Sequence, residues 1–272
     1  MKRRIPVLGI ATVLVIGGSY LRWSPRAATA SVGAAPSNVA LATSAKIGRA
    51  ETTRLVAAYE RQVAETPTAI GLRFLAQLYL QRGRLTGDVA TYAQARNAVE
   101  QAIALAPGDD EGHTLLASVL ATTHDFQGAI DAARAVLAER ADDMGAAAVL
   151  GDSQIELGDY DGARSTYARL AAMQPDAAAV IVRQARLAFL TGHIDDAREL
   201  ARRAKAQALA SAFGDAGLAF YTTFQGQIEH DGGRYARAEQ FYRQALREAP
   251  GYYIALAGLA RERAAQIGRA HV

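Results

Sequence analysis

The amino-acid sequence predicts an all-α fold built from repeated pairs of helices. The composition favours helices, because Ala dominates the apolar residues and Pro occurs only 7 times in 272 residues. The same residue types also return at a fixed interval. Ala129, Ala163 and Ala197 lie 34 residues apart, and so do the turn residues Gly158 and Gly192. A period of this length indicates a repeated unit of two helices and a turn.

One segment shows the unit most clearly. Met144–Pro175 carries a Leu-Gly pair ending at Gly151, then a Gly-Asp-Tyr turn, then Ala163 and Tyr167 at a spacing of four residues. Its final proline stops the second helix. This pattern resembles the tetratricopeptide repeat, which has a period of 34 residues. The resemblance implies a right-handed α-solenoid of stacked antiparallel helix hairpins, with about five repeats between residues 70 and 250 and flanking helices at both ends.

Two flanking helices extend the predicted solenoid domain to residues 47–266. Ile47–Glu65 places Leu55 and Tyr59 on one side of an amphipathic helix, so we expect it to cap the first hairpin. Tyr252–Gln266 has the pattern of the first helix of a sixth repeat, but no second helix follows it in the sequence. Insertions of about seven residues, after the first repeat helix and before the fifth repeat, interrupt the regular period.

The last six residues, 267–272, read IGRAHV. This string is what one reading frame of a common sequencing adapter encodes. We therefore expect residues 267–272 to be a non-native tail and the natural protein to continue beyond them. The alternative is an ordinary chain terminus.

The N-terminus predicts export from the cytoplasm. A basic cluster at residues 2–4 precedes Ile5–Leu21, which are 17 uncharged residues, and the sequence Ala-Thr-Ala at residues 28–30 fits a cleavage site. Residues 1–30 are therefore predicted to be a signal peptide or an N-terminal membrane anchor spanning residues 5–21. In both cases the positive-inside rule places the following residues in the periplasm, on the cell surface or outside the cell. Residues 31–46 have the composition of a flexible linker.

The charge distribution argues against a nucleic-acid partner. The isoelectric point is near 9.2, but from Lys46 onward the chain has 25 basic and 27 acidic residues. The basic character therefore comes from the N-terminal segment, and the predicted solenoid is almost neutral. We expect contact with a membrane only through that segment. The absence of Cys excludes disulfides and thiolate metal sites.

The sequence offers no set of residues for catalysis, and we expect no enzymatic activity, metal or cofactor. None of the five His belongs to a metal-ligating pair at helical spacing, and no nucleophile elbow or phosphate-binding loop occurs. Acidic pairs such as Asp142-Asp143 precede predicted helices. Carboxylates at these positions stabilise the helix N-terminus, so we interpret them as caps.

In proteins that resemble this one, the first helices of the repeats line a concave groove that holds a peptide or a partner protein. Carrying that face onto this sequence gives the following candidate binding residues: Arg73, Gln77, Thr114, Ser118, Asp152, Glu156, Arg183, Arg186, Phe189, Phe220, Phe224, Gln227 and His230. Arg183 and Arg186 could clamp a carboxylate of the partner, or Asp152 and Glu156 could neutralise them. The three phenylalanines could form an apolar anchor pocket, or could pack between repeats.

Two functions are compatible with this sequence. The first is a protein–protein interaction scaffold outside the cytoplasm, which binds a peptide or partner protein in its concave groove. The second is the docking or regulatory half of a longer protein, whose enzymatic or transport domain would lie beyond the truncated C-terminus.

Overall fold

A computed structural model describes residues 49–210 and 215–270 of the chain, and every regular element in these ranges is a helix. The predicted signal or anchor segment, the predicted linker up to residue 46 and the last two residues lie outside this description. The helices are α1 (Arg49–Glu65), α2 (Ala69–Thr86), α3 (Ala90–Leu105), α4 (Asp110–Thr122), α5 (Phe126–Glu139), α6 (Met144–Glu156), α7 (Tyr160–Met173), α8 (Ala178–Leu190), α9 (Ile194–Ala210), α10 (Asp215–Asp231), α11 (Tyr235–Glu248) and α12 (Tyr253–Ala270).

Ten of these helices form five consecutive antiparallel hairpins, α2–α3, α4–α5, α6–α7, α8–α9 and α10–α11. Each second helix also packs against the first helix of the next hairpin, so the hairpins stack in chain order. The prediction of an α-solenoid with about five repeats is confirmed. None of the helices in the described ranges is both long enough and apolar enough to cross a lipid bilayer.

The two helices of a hairpin are joined by turns that require a left-handed residue. Gly158, Gly192 and Gly233 have φ angles of 80°, 85° and 75°, and His124 occupies the equivalent position with φ 65°. A side chain at φ > 0 is strained, which explains the recurrence of glycine at this position. The following helix then begins with a side-chain cap, as at Asp159, which accepts a hydrogen bond from the Gly162 N–H over 2.9 Å.

Hairpins close tightly because small residues stand where their helices cross. A Cβ atom added to Gly151 would overlap the ring of Tyr167, which is 1% exposed. A Cβ atom added to Gly226 would likewise lie only 2.8 Å from the ring of Tyr242. Ala163, one turn before Tyr167, is completely buried. The tyrosine of the second helix therefore fills the volume that the glycine of the first helix leaves free.

The flanking helices have the predicted positions. α1 packs on α2 and buries Leu55, Val56 and Tyr59, so it caps the first hairpin as expected. At the other end, α12 packs on both helices of the last hairpin, where a first helix of a further repeat would lie. The two insertions lengthen helices: α2 has 18 residues and α9 has 17, compared with 13 in α4.

The crossing at Gly151 predicts a specific loss of stability. Leucine at this position (Gly151→Leu) would overlap the buried Tyr167 ring, and we expect the free energy of unfolding to fall by roughly 2 kcal/mol or more. The matched control is Ala172→Leu, which adds leucine at an exposed site of α7. Urea denaturation followed by circular dichroism measures both. Equal midpoints for the two variants would contradict the packing described here.

Candidate functional site

The first helices of successive repeats lie side by side and form one surface, which we call the groove face (α2, α4, α6, α8 and α10). Polar side chains connect neighbouring helices of this face. Arg73 on α2 donates to Asp109, which precedes α4, over 2.5 Å, and to Glu111 on α4 over 2.6 Å. Since these contacts join different repeats, they fix how one hairpin is placed against the next.

The centre of the groove face holds a buried ion pair between α6 and α8. The guanidinium of Arg183, 4% exposed, donates to both carboxylate oxygens of Asp152 over distances of 2.8–3.2 Å. Tyr167 donates its hydroxyl to the same carboxylate over 2.7 Å, and Arg183 also donates to the Ala179 carbonyl over 2.8 Å. Two donors therefore compensate the buried carboxylate.

Burial and charge shift the titration of two groups in this cluster. Burial raises the pKa of the Tyr167 phenol well above its usual value, and the neighbouring Asp152 carboxylate raises it further. Burial disfavours the charged form of Arg183, but the attraction of Asp152 outweighs it and the pKa of the guanidinium is raised. The Tyr167 hydroxyl therefore keeps its proton and the Arg183 guanidinium keeps its positive charge at neutral pH.

A second ion pair lies one helical turn further along the same two helices. Arg186 donates to Glu156 over 2.5 Å, and the two side chains are 15% and 14% exposed. Both guanidinium groups of α8 are therefore engaged by carboxylates of α6. Of the two sequence-based interpretations, the structure favours neutralisation within the protein, because a partner carboxylate would have to displace Asp152 or Glu156.

The three candidate phenylalanines belong to the packing between the fourth and fifth hairpins. Phe224 is 4% exposed and lies in a cluster with Ile181 and Ala197, so it is not a surface residue that a partner can reach. Phe189 and Phe220 are partly buried against the same cluster. Of the two alternatives, packing between repeats describes Phe224, while the side chains of Phe189 and Phe220 remain partly exposed.

The remaining candidates are uncharged and partly exposed: Gln77, Thr114, Ser118 and Gln227. On α4, hydroxyl groups follow one another at a spacing of four residues. The Ser118 hydroxyl donates to the Thr114 carbonyl over 3.1 Å, and the Thr122 hydroxyl donates to the Ser118 carbonyl over 2.8 Å. With their hydrogens used in this way, both oxygens can accept hydrogen bonds from a bound segment.

Sequence reasoning missed a second set of contacts, at the C-terminal end. His230 on α10, a candidate groove residue, is hydrogen-bonded through Nδ1 to Glu262 on α12, whose side chain is 0% exposed. Glu229 forms a salt bridge with Arg234, with 2.7 Å between Nε and Oε2. His230 and Glu262 are 32 residues apart, and Asp152 and Arg183 are 31 apart. A basic or imidazole side chain and a carboxylate separated by about one repeat period are the signal that could have found both pairs.

Two clefts open on the described surface. One of about 380 Å³ lies at the start of α2 and α4 and includes Arg73, Asp109 and Arg140. The other, about 560 Å³, lies between α7 and the fourth hairpin and includes Leu187 and His193. Within residues 49–210 and 215–270, no three His, Asp or Glu side chains converge in a way that could hold a metal ion.

Comparison with known proteins agrees with this geometry. Sequence patterns described as Tetratricopeptide repeat match residues 90–143, 120–181, 154–213 and 206–253. The chain belongs to the tetratricopeptide-repeat family. The fold of this family is a scaffold for protein–protein interaction. A search among curated proteins gave no match to this chain.

Several solved structures share this tetratricopeptide-repeat fold. A thermophilic tetratricopeptide-repeat protein of Thermus thermophilus has 20% identity and a TM-score of 0.58, with 69% of this chain and 98% of that chain covered. The Cut9-Hcn1 hetero-tetramer of the APC/C has 15% identity and a TM-score of 0.62, covering 79% and 40%. A tetratricopeptide-repeat protein of Parabacteroides merdae has 12% identity and a TM-score of 0.50, covering 79% and 93%. At these identities the similarity shows the fold alone.

The buried ion pair predicts a large cost for removing one partner. Asp152→Ala leaves the Arg183 guanidinium buried without its counter-charge, and we expect the free energy of unfolding to fall by about 3–5 kcal/mol. Glu199→Ala breaks the exposed pair with Arg202 on α9 and should cause no measurable change. Urea denaturation of both variants checks this.

A double variant separates charge from packing at this site. Asp152→Leu combined with Arg183→Met removes both charges and should recover most of the lost stability, since a buried ion pair can be replaced by apolar residues of similar volume. If the double variant is as unstable as Asp152→Ala, loss of the buried counter-charge is not the cause.

Proposed function

We propose that this protein binds a peptide, or an extended segment of a partner protein, on its groove face and does so outside the cytoplasm. The observation that carries the proposal is the row of partly exposed, uncharged side chains on the first helices of the repeats, held in place by ion pairs between those helices. A rigid row of this kind offers a long contact surface with little loss of conformational entropy on binding.

The residues that support groove binding come from separate repeats. Gln77 lies on α2, Ser118 on α4 and Gln227 on α10, and each is partly exposed. Phe189 and Phe220 add partly exposed aromatic surface near α8 and α10. An extended segment lying along the groove face would meet the polar groups of α2 and α4 at one end, and Gln227 together with the aromatic rings of α8 and α10 towards the other.

The location outside the cytoplasm is supported by the sequence of residues 1–46 only. A basic cluster, an uncharged run at residues 5–21 and a small-residue motif precede the solenoid. We assign no catalytic step to the chain, because the sequence lacks a nucleophile, base or metal-ligand pattern and the polar clusters on the groove face are engaged in contacts between repeats.

A blocking substitution tests groove binding. Random peptides displayed on phage would be selected on the immobilised full chain, and the most enriched peptide would be synthesised with a fluorescent label. Ser118→Trp places a large ring in the middle of the groove face, and we expect its affinity for that peptide to fall at least tenfold, which is about 1.4 kcal/mol. Ser165→Trp, at an exposed site of α7, is the matched control and should bind like the original chain.

Fluorescence anisotropy measures the binding of all three proteins. Failure to enrich any peptide, or equal loss of affinity in both tryptophan variants, would contradict a binding site on the groove face.

Export is tested with a reporter. Residues 1–46 fused to alkaline phosphatase, which needs disulfides and is active only outside the reducing cytoplasm, should give an active enzyme in bacterial cells. The same fusion without residues 5–21 should be inactive. If both fusions are inactive while the protein is present, the proposed location is wrong; the size of the active fusion distinguishes a cleaved signal from an anchor.

A further inference from the structure

We infer that the groove face selects an uncharged segment of its partner, which deepens the function proposed above and rests on it. The inference starts from the three central first helices, α4, α6 and α8. Every Asp, Glu, Lys and Arg on these helices has an opposite charge within 3.5 Å. The pairs are Glu111 with Arg73, Asp110 with Arg140, Asp152 with Arg183, and Glu156 with Arg186.

On α6 and α8 these pairs leave no free charge that could attract a charged partner, whereas at the start of α4 four carboxylates share two guanidiniums, since Arg73 also contacts Asp109 and Arg140 also contacts Asp143. Three of the four pairs join neighbouring repeats, and the fourth, Asp110 with Arg140, joins the start of α4 to the end of α5 within one repeat. A carboxylate from a partner would have to break the contact of Arg186 with Glu156, or bring its own charge next to Glu156 without compensation. Either change would lose more interaction free energy than the new contact would supply, because both side chains are largely buried.

The groups that remain available on this surface suit an uncharged segment. Ser118 and Thr122 use their hydroxyl hydrogens within α4 and present oxygen atoms that can accept from a peptide N–H group. At the far end of α8, Leu190 is 37% exposed and Phe189 is partly exposed. The complementary partner is therefore a segment of small or apolar side chains whose backbone supplies the hydrogen bonds.

Charged residues on α2 and α10 lie beyond the ends of this surface. Arg84 lies near the end of α2 and Asp231 at the end of α10, both outside the three central helices. The inference applies to α6, α8 and the part of α4 from Thr114 onward, which carries no charged side chain.

The composition of selected peptides tests the inference. Among random peptides selected on the full chain, we expect Asp, Glu, Lys and Arg to be depleted relative to the unselected library. A labelled peptide from this selection should bind with an affinity that changes less than about twofold between ~0.05 M and ~0.5 M NaCl, because no net charge is neutralised. Enrichment of acidic or basic peptides, or a steep loss of affinity with salt, would overturn the inference.

A charge-releasing variant sharpens the test. Glu156→Gln keeps the shape of the side chain but leaves Arg186 without its carboxylate, so the variant should now select peptides that contain Asp or Glu. Replacing that acidic residue by its amide should weaken binding to the variant by about tenfold, the value of one charge-assisted hydrogen bond. Glu199→Gln, which releases Arg202 on the exposed side of α9, is the matched control and should select the same peptides as the original chain.

The outcomes separate the two proposals. If the original chain selects no peptide at all, the proposed function fails. If it selects charged peptides that Ser118→Trp no longer binds, groove binding stands and the uncharged partner is wrong. If Glu156→Gln keeps its helical circular dichroism spectrum but selects the same peptides as the original chain, Glu156 does not mask Arg186 and the inference also fails.

Discussion

Each helix hairpin of this protein leaves apolar surface that only the next hairpin can cover, and this constraint governs the rest of the structure. The apolar clusters cross hairpin boundaries: one extends from Leu55 on α1 to Val119 on α4, and another from Ala178 on α8 to Ile228 on α10. A hairpin on its own would expose half of such a cluster to water. Stability is therefore a property of the stack, and α1 covers the side of the first hairpin that faces away from the second.

Apolar contact alone does not fix how far one hairpin slides along the next, since small side chains such as alanine pack in several positions. The ion pairs between repeats favour one position of a hairpin relative to the next. Asp152 accepts from Arg183 and Tyr167 in a geometry that a shift of one residue would break, and a buried carboxylate without donors is costly. The polar groups of the groove face therefore add contacts that depend on register between the first and second hairpins and between the third and fourth.

The sequence predicted the repeat architecture well and the groove residues less well. Gly158 and Gly192 mark turns because the left-handed conformation is a local property, readable from residue type and spacing. Whether Arg183 pairs with Asp152 or binds a partner could not be predicted. Residue spacing shows on which helix face Arg183 lies, but its distance from Asp152 depends on how two hairpins dock. The two alternatives for Phe224 were open for the same reason, since it packs in a cluster with residues of α8 and α9 and spacing alone does not show how those helices dock.

The use of charge for register has a consequence for recognition. A guanidinium that holds two repeats together is not free to hold a ligand, so a solenoid that fixes its stack with charged residues on the inner face loses charge as a means of selecting partners there. In this chain the charged residues of α4, α6 and α8 form ion pairs with other residues of the protein. The hydroxyl, amide and aromatic groups are left to contact a partner. A single substitution could change this, since an amide in place of the Glu156 carboxylate would leave the Arg186 cation without its counter-charge in the middle of the groove face. Under the proposed function, selectivity for a partner would depend on whether the contacts between repeats stay intact, as well as on the residues that the partner touches.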